Sequence, residues 1–203
     1  MSIFTYKELD IPEINKEIPG LINEYSDIID TCIAERSFFN LIDIPKNKKI
    51  FDTKIAAVAL IMSQPKSYAT PHTDGRLRES ASKLALNIPV SGCENTKTIF
   101  YKSSDTSPSR IDLVKSSNSH INRVMQEKAA IAVAKNQITD YPCYYIHKRQ
   151  YLKKLCELEL KVPTLINVNE TPHQVNNFNN TVRVALSLRF YKDPLHWATY
   201  KRR

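Results

Sequence analysis

No run of the roughly 18 apolar residues needed to cross a membrane occurs in the chain, which excludes a helical membrane-spanning class. The N-terminal stretch mixes apolar and acidic positions and has neither the basic nor the apolar region of a signal peptide, so an intracellular, cytoplasmic protein is expected. The four cysteines, Cys32, Cys93, Cys143 and Cys156, form no C-x-x-C pair. That excludes a zinc knuckle and a thioredoxin-type redox motif and leaves free thiols as the expected state. Compact basic runs are scarce as well. Lysine and arginine outnumber the acids by 29 to 21, a net charge of +8, yet the only dense cluster is Lys201-Arg202-Arg203. Dispersed charge of this kind reads as a solvated surface that favours an acidic partner or substrate, with weak support for a nucleic-acid footprint. Glycine is rare, with three in the chain.

With 203 residues, 42% hydrophobic and 25% charged, the chain can bury a sizeable core and is expected to form one domain over 1–203. Ile22, Tyr25, Ile29, Cys32 and Ile33 recur at helical spacing after Pro19, which predicts a helix over about 19–37 within an N-terminal flank of 1–50. Lys54–Ser63 (KIAAVALIMS) reads as a buried strand broken by Gln64-Pro65-Lys66-Ser67. Leu84, Leu86 and Ile88 alternate with Lys83, Ala85 and Asn87, a half-buried strand that Pro89 ends or marks as an edge. A loop over 91–95 and a short strand at Thr98–Tyr101 suggest a hairpin. Residues 102–125 read as a polar loop or lid, Ala129–Ala134 as either strand or helix, Cys143–Ile146 as strand, Gln150–Leu160 as a helical turn or two, and Pro163–Val168 as strand.

Chemistry concentrates in Pro71-His72-Thr73-Asp74-Gly75, expected as a short turn, together with His173 a hundred residues on and Arg183 ten beyond it. Two imidazole nitrogens and one carboxylate on one face of an octahedron suit Fe(II) in oxygenases, since three positions stay open. Arg183 would hold an acidic co-substrate. Over Val182–Tyr191, Val182, Val184, Leu186, Leu188 and Phe190 share one strand face, and Arg183, Ala185, Ser187 and Arg189 share the other. A polar inward face of that kind lines a pocket. His120, His147 and His196 read as surface or packing residues.

This order of elements resembles the 2-oxoglutarate/Fe(II)-dependent dioxygenases over roughly 54–191. The resemblance implies a mainly β fold with flanking helices, a double-stranded β-helix or jelly-roll barrel with helices on one outer face, a polar insert near 102–125 and a C-terminal tail over 192–203. It implies His72, Asp74 and His173 as metal ligands and catalytic residues, and Arg183 paired with the distal carboxylate of 2-oxoglutarate, helped by Ser187 and Asn87. Tyr101 is a weaker candidate, and Arg189 is the alternative anchor. The implied cofactors are Fe(II), 2-oxoglutarate and O2. The implied reaction couples decarboxylation of 2-oxoglutarate to succinate with hydroxylation of an unidentified small-molecule or peptidyl substrate. Demethylation and desaturation are variants of it. A jelly-roll that binds a metal or ligand without oxygenase activity and a nucleic-acid-binding module stay open as alternatives. Candidate selectivity segments are Arg76–Ser82 and Lys102–Arg123.

Overall fold

The computed structural model describes residues 5–34, 39–42, 48–50, 53–75, 82–112 and 143–198. The expectations for Ala129–Ala134, His120, the Lys201-Arg202-Arg203 cluster, most of Arg76–Ser82 and half of Lys102–Arg123 lie outside these residues.

Two helices precede the barrel, α1 (Pro12–Glu24) and α2 (Ser26–Ala34). Proline in the first turn loses no hydrogen bond, so both Pro12 and Pro19 were admissible starts. The helix begins at Pro12 and Pro19 lies inside it, which corrects the expected start, and the expected single helix breaks at Tyr25. Ile14, Leu21, Tyr25 and Ile29 are buried in one core with Leu60, Leu86, Leu186 and Phe190. Burial of that stripe, more than local propensity, holds the helices in place.

The strands are β1 (Tyr6–Glu8), β2 (Phe39–Ile42), β3 (Lys49–Ile50), β4 (Thr53–Ser63), β5 (Ser67–Tyr68), β6 (His72–Asp74) and β7 (Leu84–Ser91), then β8 (Thr96–Ser103), β9 (Ser109–Asp112), β10 (Cys143–Ile146), β11 (Leu152–Leu158), β12 (Thr164–Asn167), β13 (His173–Asn177) and β14 (Arg183–Phe190). One sheet runs β1-β12-β7-β14-β4-β2 with β3 on β4, and the other runs β11-β8-β13-β6-β10-β9 with β5 on β13. The chain passes from sheet to sheet: β4, β7, β12 and β14 belong to the first, and β6, β8, β11 and β13 to the second. Two facing antiparallel sheets wound in this order form a jelly roll, the expected double-stranded β-helix. Helices cover the outer face of the first sheet. A smaller cluster of Ala85, Phe100, Leu158, Ile166 and Val168 fills one part of the interior.

Several local expectations change. The residues around 84–101 do not form a hairpin, because β7 pairs with β12 and β14 whereas β8 pairs with β11 and β13. The intervening turn instead carries the chain between sheets. Pro89 neither ends β7 nor marks an edge: it sits beside a register shift between Val184 and Ala185, where its missing N–H is tolerated. Residues 152–158 are strand and not helix; only Arg149–Tyr151 forms a helical turn, and a bulge between Lys154 and Cys156 disturbs the alternation that would have marked the strand. Part of the expected lid, Ser109–Asp112, is the strand β9 paired with β10. In the C-terminal tail a short helix, α3 (Leu195–Ala198), places Trp197 edge-on to Phe190 at 5.2 Å. Cys93, Cys143 and Cys156 are free thiols. No helix among the described residues is long and apolar enough to cross a membrane.

Two glycines separate backbone constraint from helix propensity. Gly92 has φ +59°, and a Cβ there would collide with the Val182 carbonyl. Gly20 lies in α1 with open space around it. Gly92→Ala is expected to destabilise the fold by about 1–2 kcal/mol or more. Gly20→Ala should stabilise it by roughly 0.5–1 kcal/mol. Urea unfolding of the two variants checks the opposite signs.

Candidate metal centre

His72 and His173 are direct cross-strand partners on β6 and β13. The two-residue period of a strand sends His72 and Asp74 to the same face and Thr73 to the other. The expected turn at 72–74 is thus a short, fully buried strand, and it brings the three residues together more rigidly than a turn would. Nε2 of His72 lies 3.6 Å from Asp74 Oδ1 and Nε2 of His173 lies 3.7 Å from the same oxygen. The three candidate ligand atoms are within 4.8 Å of one another.

Both imidazoles are oriented by the same local device. His72 Nδ1 is 2.7 Å from the Thr70 carbonyl, and His173 Nδ1 is 3.0 Å from the Thr171 carbonyl. A carbonyl only accepts, so each Nδ1 carries the proton and each Nε2 presents a lone pair to the shared volume. Burial, followed by the neighbouring His173, pulls the His72 pKa down from 6.5 to about 4, which keeps the ring neutral and able to ligate. Tyr144 of β10 stacks on the His72 ring at 3.9 Å and fixes its plane.

Asp74 divides its two oxygens. Oδ2 accepts a hydrogen bond from Arg189, while Oδ1, buried between the imidazoles, has no hydrogen-bond partner. Burial alone would push this carboxyl up, but Arg189 and then His173 and His72 hold it below its ordinary value. Its backbone is pinned as well: Asp74 N–H donates to the Val168 carbonyl at 2.8 Å, and Asn169 Nδ2 donates to the Asp74 carbonyl at 2.7 Å. Gly75 follows because a Cβ there would run into Cys143 Sγ.

A cavity of about 430 Å³ extends from the triad to Arg183 and is lined along the way by Asn87, Thr98 and Ser187. Arg183 is 2% exposed, and its Nε and one terminal nitrogen have no partner. Ser187 Oγ and Asn87 Oδ1 are likewise buried without partners, and these two residues face each other across β14 and β7. No carboxylate pairs with Arg183 among the described residues, and burial lowers the pKa of its guanidinium. A desolvated cation with open donors beside a hydroxyl and an amide is a receptor for a carboxylate.

The other sequence candidates fall elsewhere. Arg189 shares the inward face of β14 with Arg183 but is engaged by Asp74. Tyr101 does not line the cavity and lies near Arg149 and Lys154. His147 is buried behind β6, hydrogen-bonded to Thr73 and Ser103 at 3.2 and 3.1 Å. His196 packs beside Trp197. Tyr144 and Asn169 were missed. Asn169 stands next to the turn into His173, a position that could have flagged it, whereas nothing local to Tyr144 announces its contact with His72.

Fold and site together define a jelly-roll chain with a buried His-Asp-His cluster that could hold a metal ion. No family model matches the sequence, and no curated protein matches it either. Among solved structures, the chain is similar to the non-heme alpha-ketoglutarate-dependent carbocyclase SnoK from nogalamycin biosynthesis, at 8% identity and a TM-score of 0.42, covering 92% of this chain and 79% of that one. It is similar also to HygX from Streptomyces hygroscopicus with nickel and 2-oxoglutarate bound, at 8% identity and a TM-score of 0.31, covering 93% and 70%. EvdO2 from Micromonospora carbonacea var. aurantiaca gives 11% identity and a TM-score of 0.33, covering 90% and 66%. At these identities and scores, the functional reading rests on the chain's own site.

The depressed His72 pKa sets a pH dependence for the metal-free protein. Between pH 6.5 and about 4 the unfolded chain takes up a proton that the folded His72 refuses, so stability is full above this window and falls as pH drops through it. The loss is expected to be on the order of 3 kcal/mol. Asp74, also depressed, adds its own loss only below its ordinary range. Denaturant unfolding at pH 7 and pH 4.5 should show a shallower pH slope for His72→Asn than for wild type. Equal slopes would mean that His72 is not held neutral by burial.

Proposed function

We propose that this chain is an Fe(II)/2-oxoglutarate-dependent dioxygenase acting as a hydroxylase. One observation carries the reading. A buried guanidinium with unpartnered donors stands at one end of a cavity whose other end is a His-Asp-His cluster. A metal site built for hydrolysis alone has no use for that second cation. Leaving it unpaired costs several kcal/mol, which an anionic ligand would offset.

The residues fit the implied metal. Two neutral imidazoles with inward Nε2 lone pairs and one carboxylate oxygen without a protein partner are a facial set of two nitrogens and one oxygen. Fe(II), bound with 2-oxoglutarate and O2, would supply decarboxylation to succinate and the oxidising power for C–H hydroxylation. The chain's own residues do the rest. His72, Asp74 and His173 would hold the metal, and Arg189 occupies the second Asp74 oxygen and so leaves a single oxygen for it. Arg183 would take the distal carboxylate of 2-oxoglutarate, with the Ser187 hydroxyl as a further donor and the Asn87 amide beside it. Tyr144 and Ile146 form part of the cavity wall.

Anaerobic titration with Fe(II) and then 2-oxoglutarate tests this reading, followed by a screen of metabolites and peptides for succinate release. Ala in place of His72, Asp74 or His173 should abolish stoichiometric Fe(II) binding. Arg183→Ala should keep Fe(II) affinity and weaken 2-oxoglutarate by roughly 2–5 kcal/mol, the range for truncating one partner of a buried charge pair. Arg189→Ala should show the opposite pattern, with metal affinity falling roughly 10- to 100-fold as for loss of a group that orients a ligand. Metal binding without any 2-oxoglutarate binding would leave a metal-binding jelly roll of another activity.

A further inference from the structure

The excess of lysine and arginine is spread along the sequence, but the fold gathers part of it on one edge. β11 is the outer strand of its sheet and pairs with β8. Lys153 of β11 stands directly opposite Lys102 of β8, and Lys154 stands opposite Tyr101. The crossover from β10 runs alongside the end of β8: Ser104 N–H donates to the Tyr151 carbonyl at 3.0 Å, and Lys148 N–H donates to Asp105 Oδ2 at 2.9 Å. These bonds bring Lys148, Arg149 and Tyr151 beside the lysine pair, and all five cations are exposed. The edge also adjoins the metal cluster, because Phe100, two residues before Lys102, is the cross-strand partner of His173.

Two acids accompany these cations and neither neutralises the group. Glu157 is shared by Lys97 and Lys154, and Asp105 accepts the backbone N–H groups of Ser107 and Lys148. Lys102, Lys148, Arg149 and Lys153 have no ion-pair partner among the described residues. Like charges directly opposite each other destabilise a strand pair. Lysines and bulges do protect edge strands against pairing with other chains, which accounts for Lys153, Lys154 and the bulge between Lys154 and Cys156. Edge protection does not account for Lys102, whose strand is paired on both sides, or for Lys148 and Arg149 in the crossover. The same edge exposes flat apolar surface: Tyr151 is 41% and Leu155 is 51% exposed. Carboxylates of an acidic protein would have no use for that ring, whereas an unstacked base beside its phosphate would use both ring and cations.

We propose that the β8–β11 edge binds single-stranded nucleic acid, with phosphates on Lys102, Lys148, Arg149 and Lys153 and a base stacked on Tyr151. The surface is distinct from the cavity, and its occupation requires neither metal nor 2-oxoglutarate.

Fluorescence anisotropy with a labelled oligothymidine of about 15 nucleotides, the upper end of a single-strand site, tests the proposal with EDTA present throughout. Four phosphate contacts should give a slope of roughly −3 in log affinity against log salt between about 50 and 200 mM. Lys102→Gln/Lys153→Gln should weaken binding at least about 10-fold at the low-salt end and make the slope shallower by about 1.4. Its thermal midpoint should not fall, since two like charges no longer face each other. Lys7→Gln/Lys192→Gln, an equal loss of charge at exposed positions elsewhere, should change the affinity little. Tyr151→Ala should weaken binding about 5- to 150-fold with the slope unchanged. The two double variants weakening binding equally would mean attraction by net charge alone and overturns the proposal. A loss of affinity that tracks a falling thermal midpoint overturns it as well. Polyglutamate that competes as well as the oligonucleotide would identify an acidic polypeptide surface instead, and tighter binding of duplex than of single strand would remove the stacking on Tyr151; either result sinks the single-strand assignment. Because EDTA excludes the metal, failure of the oxygenase reading leaves every one of these outcomes unchanged.

Discussion

The site depends on one strand having two different faces. β14 is flanked on both sides by antiparallel partners, β4 and β7, so its backbone is paired along its length and its side chains have only two directions to take. Val184, Leu186, Leu188 and Phe190 go to the helix-covered core, each essentially without exposure. Four such side chains contribute on the order of 6–12 kcal/mol, enough to fix which face is which. Arg183, Ser187 and Arg189 are then committed to the interior of the barrel, polar or not. Burying a guanidinium with open donors is unfavourable by several kcal/mol. The apolar face bears that cost, and the fold thereby holds a buried positive charge with open donors in the cavity.

Register does for the His-Asp-His cluster what alternation does for the cavity around Arg183. A slip of one residue between β6 and β13 would send the His72 or His173 side chain to the opposite face of the sheet. Against this stand several independent restraints on the same few residues. The Asp74 backbone is tied at both its N–H and its carbonyl to the turn that leads into His173, Gly75 N–H bonds the Cys143 carbonyl, and Tyr144 lies flat on the His72 ring. Strand β10, paired with β6 and β9, belongs to none of the eight strands that form the roll, yet it supplies one wall of the cavity. The two arginines on β14 divide the electrostatics: Arg189 cancels Asp74, which leaves Arg183 as the uncompensated charge of the cavity among the described residues.

Much of this was legible in the sequence wherever one periodicity was undisturbed. The alternation over 182–191 predicted both faces of β14, and the unbroken apolar run of 54–63 predicted β4. The His72, Asp74, His173 and Arg183 spacing predicted residues that do converge on one cavity. Legibility failed where two local rules gave the same pattern. Pro12 and Pro19 are equally good first-turn prolines, and only docking of Ile14 on the sheet chooses between them. In Leu152–Leu158 a bulge breaks the period of two, and the residual spacing of Leu152, Cys156 and Leu160 imitates a helix. The stretch around 84–101 looked like a hairpin because strand–turn–strand is the same sequence signal whether the two strands pair or part company.

The sequence by itself determined which side chains are candidate ligands and which face of each long strand is apolar, because side-chain chemistry and two-residue alternation are properties of the chain alone. Tertiary structure decided the partners. Whether Arg183 or Arg189 stays open depends on which one lies within reach of Asp74, and they are six residues apart on the same strand face. Only the crossing of β6 past β14 on the opposite sheet settles it, through a contact 115 residues apart in the chain. The seating of the Gly92 turn against the backbone at Arg183 is of the same kind. Contacts between strands of different sheets follow from how the roll closes, and no local pattern in either strand records them.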